Sequence, residues 1–116
     1  MIIPKTREQI ELMRESAQIV SKTLGMLARE VKPGVTTLHL DKLAEEFIRD
    51  HGAHPGFLGM YDFPNSLCMS PNAQVVHGIP NDKPLVLTLQ SVMPTQVHKR
   101  TPTVEPSWVS SIKLKQ

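Results

Sequence analysis

Phe63-Pro64-Asn65-Ser66-Leu67-Cys68-Met69-Ser70, followed at once by Pro71-Asn72-Ala73 and then Gln74-Val75-Val76-His77-Gly78-Ile79-Pro80, is the stretch on which the fold turns. Leu67-Cys68-Met69 and Gln74-Val75-Val76 read as two short strands around a Ser70-Pro71-Asn72-Ala73 turn. Gly78-Ile79-Pro80 ends the second strand and leaves His77 at its tip, where loop-facing groups often carry chemistry. An imidazole there can donate to a substrate or shuttle a proton. The competing reading is a surface histidine at a strand end. Cys68 sits inside the apolar strand. As a nucleophile it needs a base or a positive field to lower its pKa, which His77 on the partner strand could supply; otherwise it is a small buried hydrophobe. Just upstream, Phe57, Met60, Tyr61 and Phe63 cluster beside Gly56 and Gly59. They either wall an apolar pocket or plug the core.

Further toward the N-terminus the pattern is helical. Thr6-Arg7-Glu8-Gln9 has the form of a capping box, in which hydroxyl and amide satisfy orphan backbone donors reciprocally. Ile10, Met13, Ala17, Val20, Leu24, Leu27 and Val31 recur at steps of three and four and predict one buried stripe. Pro33-Gly34 ends that helix. A second helix starts at Thr36 or Thr37. It presents Leu40, Leu43, Ala44, Phe47 and Ile48 as its apolar face and closes at His51-Gly52. Asp41, Glu45 and Glu46 are expected on its solvated side.

Beyond Leu85 the character of the chain changes. Residues 1–85 carry nine Lys/Arg and ten Asp/Glu, whereas residues 86–116 carry four Lys/Arg and only Glu105. Val86-Leu87-Thr88-Leu89 has strand composition; after it, Pro94, Pro102 and Pro106 stand among scattered polar residues and predict irregular backbone.

Composition narrows the class. The 116 residues, 40% hydrophobic and 21% charged, suit one small domain with a mostly aliphatic core. A net charge of +2 is too small to argue for nucleic acid or an anionic membrane. No apolar run approaches a membrane span, and the start Met1-Ile2-Ile3-Pro4-Lys5 lacks the apolar stretch of a secretory signal. With one cysteine there is no intrachain disulfide framework. These features predict a cytoplasmic protein. His39, His51, His54 and His98 show no metal-ligand spacing.

Taken in order and at this spacing, Lys32-Pro33-Gly34-Val35-Thr36-Thr37, Leu40-Asp41, Phe63 to Ser70, and Asn72 through Val75-Val76-His77-Gly78-Ile79-Pro80 closely resemble type I methionine aminopeptidases of the bacterial kind. The resemblance covers residues 1–85. It implies an α/β (α+β) pita-bread fold, two similar halves around a dinuclear metal site, of which this chain supplies the first half followed by an unrelated or frame-shifted tail, 86–116. It implies removal of the initiator methionine from nascent polypeptides by a water activated by two divalent metals (Fe, Mn, Co or Zn), in a monomer. By the same resemblance His77 contacts the substrate near the scissile bond, and Phe57, Met60, Tyr61, Phe63 and Cys68 line the methionine side-chain pocket. The family often has Cys, Tyr and His where Phe57, Met60 and Tyr61 stand, exchanges that keep the pocket apolar or aromatic.

The larger departure follows Leu85, where the family continues with two Asp, a His and two Glu as metal ligands. After Asp82 this chain has one carboxylate side chain, Glu105, and one histidine, His98. The expectation is a chain that holds no metal pair in the family's way and is inactive. The alternatives are a non-catalytic module that binds an apolar N-terminus or a protein partner, and an enzyme completed by a separate second-half chain.

Overall fold

The computed structural model describes residues 2–71, 74, 77–86, 92–93 and 97–99. Its backbone runs through helix α1 (Arg7–Glu30), helix α2 (Thr37–Asp50), strand β1 (Ala53–Pro55), a single 3-10 turn (Met60–Asp62), and strands β2 (Cys68–Met69), β3 (Val92–Met93) and β4 (Val97–Lys99). The expected strand residues Val75, Val76 and Leu87–Leu89, the turn residues Asn72 and Ala73, and Glu105 lie outside the described residues.

α1 begins where its local chemistry dictates. The Thr6 hydroxyl accepts from the Gln9 amide at 3.2 Å, and the Gln9 side chain accepts from the Thr6 amide at 2.9 Å. That reciprocal box satisfies two donors that the first turn cannot use internally. The backbone amide of Glu8, with the Thr6 hydroxyl, holds the Glu8 carboxyl below its ordinary value. The helix ends at Glu30, before a turn in which Gly34 takes φ +91, a region closed to most side chains. α2 is capped by Thr36, whose hydroxyl accepts from the His39 amide at 3.1 Å. At its far end His51 Nδ1 donates to the Phe47 carbonyl at 2.8 Å.

The two helices meet through Ile19, Val20, Leu24 and Leu27 on α1 and Leu40, Ala44 and Ile48 on α2, with Leu67 and Met69 closing the core from β2. The predicted stripe is right in its second half and shifted in its first. Ile10 stays 44% exposed, and Met13, Ala17 and Val31 are half-buried, while Ser16, Ile19 and Thr23 are buried instead. α1 has 24 residues and α2 has 14. At ~1.5 Å per residue α1 outruns its neighbour by about 15 Å, so its first turns lack a helix to pack on. The buried Thr23 hydroxyl avoids a desolvation penalty by donating to the Ile19 carbonyl at 2.8 Å.

The strands form two antiparallel pairs, β1 with β4 and β2 with β3. Ala53, His54 and Pro55 face Lys99, His98 and Val97; Cys68 and Met69 face Met93 and Val92. The expectation of irregular backbone after Leu89 is therefore corrected at these short stretches. Backbone pairing supplies there what no side-chain alternation announces, and two- or three-residue strands are too short to leave a period. A further tie runs from the α1–α2 turn. The Gly34 amide donates to the Leu85 carbonyl at 2.7 Å, and the Leu85 amide to the Val35 carbonyl at 2.8 Å. Asn81 completes the start of α2, its carbonyl accepting from the Leu38 amide at 3.0 Å and its amide donating to the Thr37 hydroxyl at 2.9 Å. No helix among the described residues is long and apolar enough to cross a membrane.

Candidate active site

β2 delivers Cys68 to the centre of the candidate site, and His77 faces it. Cys68 Sγ and His77 Nδ1 lie 3.7 Å apart. The Phe57 ring stands beside both His77 and Phe63, with ring centroids 6.2 Å and 5.9 Å away. The loop that carries these rings closes on itself. The Met60 amide donates to the Phe57 carbonyl at 3.0 Å, and the Gly59 amide to the Phe63 carbonyl at 2.9 Å.

The structure therefore brings together Phe57, Phe63, Cys68 and His77, with Met60 half-buried in the same loop. It leaves Tyr61 out. That residue is 93% exposed, so its ring stands outside this cluster. The reason is local. Tyr61 and Asp62 take φ 47 and φ 61, left-handed values that put them at the apex of the turn. His77 is the third non-glycine residue at positive φ, at 55. All three such residues among those described flank one site, the distribution expected where backbone strain is tied to function.

The electrostatics decide what Cys68 can do. Burial, with the nearby Asp41 charge adding to it, pushes its thiol up to about 11. At neutral pH it is a neutral, polarizable thiol and not a nucleophile, despite the imidazole beside it. Of the two readings open from sequence, the apolar one holds.

Two parts of the site were not visible beforehand. Asp41, expected on the solvated face of α2, is 4% exposed. Its Oδ1 accepts from the backbone amides of Ser66 at 3.0 Å and Leu67 at 2.7 Å, and its Oδ2 from Asn65 Nδ2 at 3.0 Å. Burial raises the Asp41 carboxyl above its ordinary value, while those three hydrogen bonds pull it the other way. A signal did exist: Asp41 lies three residues before Ala44 and seven before Ile48, on the buried stripe itself. Gly78 is the second. Its carbonyl accepts from the Met69 amide at 2.9 Å, and its own amide donates to Ser70 Oγ at 3.0 Å. A Cβ at that position would overlap the Met69 carbonyl oxygen and come within 2.8 Å of its carbon. Only glycine allows the two backbones to approach this closely.

Two comparisons define the class. The crystal structure of methionine aminopeptidase from Rickettsia prowazekii matches with a TM-score of 0.73 at 33% identity, over 85% of this chain and 45% of that one. Methionine aminopeptidase from Thermotoga maritima matches with a TM-score of 0.79 at 26% identity, over 86% of this chain and 41% of that one. The fold is that of the pita-bread aminopeptidases.

The family follows from the sequence. The model of metallopeptidase family M24 matches residues 11–95, and the chain belongs to that family. Curated methionine aminopeptidases are similar at 54% identity over 80 residues in Clostridium perfringens and 45% over 85 residues in Bacillus subtilis. These stretches cover 69% and 73% of this chain but 32% and 34% of those proteins, so the chain spans about a third of their length.

Membership of a metallopeptidase family implies divalent metals. The described residues do not fit them. Among those residues no three His, Cys, Asp or Glu side chains stand together as ligands. His77 is paired with a thiol and an aromatic ring, and Asp41 already accepts three hydrogen bonds.

Proposed function

We propose that the chain carries the methionine-recognition wall of a methionine aminopeptidase and does not itself hydrolyse peptides. The observation that carries this reading is the juxtaposition of Cys68 and His77, 3.7 Å apart beside Phe57, Cys68 and His77 both lying in segments that resemble the family. A neutral thiol, two half-buried phenyl rings and the flexible Met60 make an apolar, polarizable surface suited to an unbranched thioether side chain. His77, exposed at its rim, is placed to donate to the first peptide group of a nascent chain that starts with methionine. Tyr61 belongs to this wall by resemblance alone.

The inactivity rests on the inventory. The family resemblance continues past residue 85 with Asp ligands, and within residues 86–116 the one carboxylate side chain is Glu105 and the one histidine His98. The same reading carries a cytoplasmic setting and a monomer, as in the family. A non-catalytic module that binds an apolar N-terminus or a protein partner is the second reading, supported by the Phe57 ring beside His77 and the buried Cys68 thiol.

One experiment tests both. The purified chain is titrated with a Met-initiated tripeptide and with its Lys-initiated counterpart, in added Mn²⁺ or Co²⁺, while free methionine is assayed. Saturable, Met-selective binding without methionine release supports a recognition wall. Methionine release overturns the inactivity, and no binding of either peptide removes the wall.

A further inference from the structure

We propose that Asp41 is a positioning residue for the Cys68–His77 wall: from inside α2 its carboxylate fixes where β2 begins, and so where both side chains stand. The inference rests on the reading of that wall as a recognition site.

Leu67 and Met69 are both buried in the core, at 1% and 2% exposure, and Cys68 alternates with them. Apolar burial is non-directional and holds such a strand in depth without fixing its register. A slip of one residue would put Cys68 in the core and send its neighbours toward His77. Pairing with β3 covers only Cys68 and Met69. Asp41 supplies the direction that is missing. Its Oδ1 receives two successive amides, Ser66 and Leu67, which can converge on one oxygen in one backbone conformation and one register.

The constraint passes on through hydrogen bonds. Cys68 follows Leu67 directly. The Met69 amide then donates to the Gly78 carbonyl at 2.9 Å, and the Gly78 amide to Ser70 Oγ at 3.0 Å, so His77 is held to the strand that Asp41 registers. α2 itself has no need of a carboxylate here. Alanine is the better helix former, and a carboxylate buried this far carries a desolvation cost that only its partners offset.

Cys68 is the single cysteine, so thiol alkylation reports on it alone; both Asp41 variants remove the charge that raises its thiol, so exposure is read from the difference between them. The full chain, Asp41→Ala, Asp41→Asn and the core control Leu24→Ala are treated with iodoacetamide at 10 °C, where far-UV circular dichroism verifies the helices. Met-peptide titration is run on the same samples. Asp41→Ala, which leaves two amides without their acceptor, is expected to label about tenfold faster than the wild-type chain. Asp41→Asn keeps an accepting oxygen and is expected to restore most of the protection, within about threefold of wild type. Leu24→Ala lowers stability without touching the register and should label as the wild-type chain does. Wild-type labelling in Asp41→Ala, equal labelling of Asp41→Ala and Asp41→Asn, or equal acceleration in Leu24→Ala overturns the proposal. If Asp41→Ala does not fold, the near-isosteric Asp41→Leu, which also lacks an acceptor, decides: a rate equal to that of Asp41→Asn overturns it. Absence of peptide binding in the wild-type chain removes the recognition reading alone, because the labelling rates still report the register.

Discussion

Leu27, Leu40, Ala44 and Ile48 are held between two helices whose ends are capped by their own neighbours, whereas Cys68 and His77 are held by groups far away in the chain. In the helical pair, capping spans three residues and the apolar partners follow the helix period. At the site, Asp41 reaches 26 residues forward to Leu67 and Gly78 reaches back to Met69. Three non-glycine residues around the site take positive φ, and none does so in either helix. The scaffold is redundant: many small apolar contacts, no one of them decisive. The site is specified by a few directional contacts, each of which matters.

That contrast can be broken at either end. The largest effect belongs to the scaffold. Leu27→Ala empties a position that is 1% exposed and should cost ~2–5 kcal/mol in a urea titration followed by circular dichroism. Below its midpoint it should leave Cys68 protected from alkylation. Gly78→Ala acts on the other side. Its Cβ overlaps Met69 backbone, and the cost is expected at ~1–3 kcal/mol. Here helical content should stay while Cys68 labelling accelerates and Met-peptide binding is lost; unchanged labelling would show that the Gly78–Met69 contact does not hold the site.

The pH dependence comes next and tests Asp41. Its carboxyl is raised above 3.8 in the folded chain, so between that value and its folded one the folded chain binds more protons than the unfolded chain. Stability from this group is therefore fully present below 3.8 and is lost as pH rises through the folded value. Urea titrations stepped upward from pH 3.8 should show the wild-type chain losing stability relative to Asp41→Asn. The opposite slope would mean that the three hydrogen bonds outweigh burial. The smallest effect is local. Thr6→Ala removes one half of the capping box and should cost ~1 kcal/mol, with Cys68 labelling and peptide binding unmoved.

What could be read in advance follows the same division. Thr6 and Thr36 as caps, Gly34 as a turn, and Leu24, Leu27, Leu40, Ala44 and Ile48 as core are all visible because the relevant partners lie within a helical turn or repeat with its period. Ile10 misled because periodicity reports which residues share a face and not whether a neighbour covers it. Cys68 and His77 were legible as a pair from their place around a turn. Tyr61 was not legible as an outlier, because its left-handed backbone depends on how the 57–63 loop closes.

The sequence by itself determined the two helices, their limits, the family resemblance and the shortage of ligand-type residues after Asp82. Each of these is a property of residue identity and short spacing. Only the tertiary structure decided that Asp41 is buried under the Asn65–Leu67 backbone, that Gly78 is a close backbone approach, and that β1 and β2 find partners at Val97–Lys99 and Val92–Met93. Those are matters of which distant groups meet, and directional hydrogen bonds between distant segments leave no period in the sequence to read.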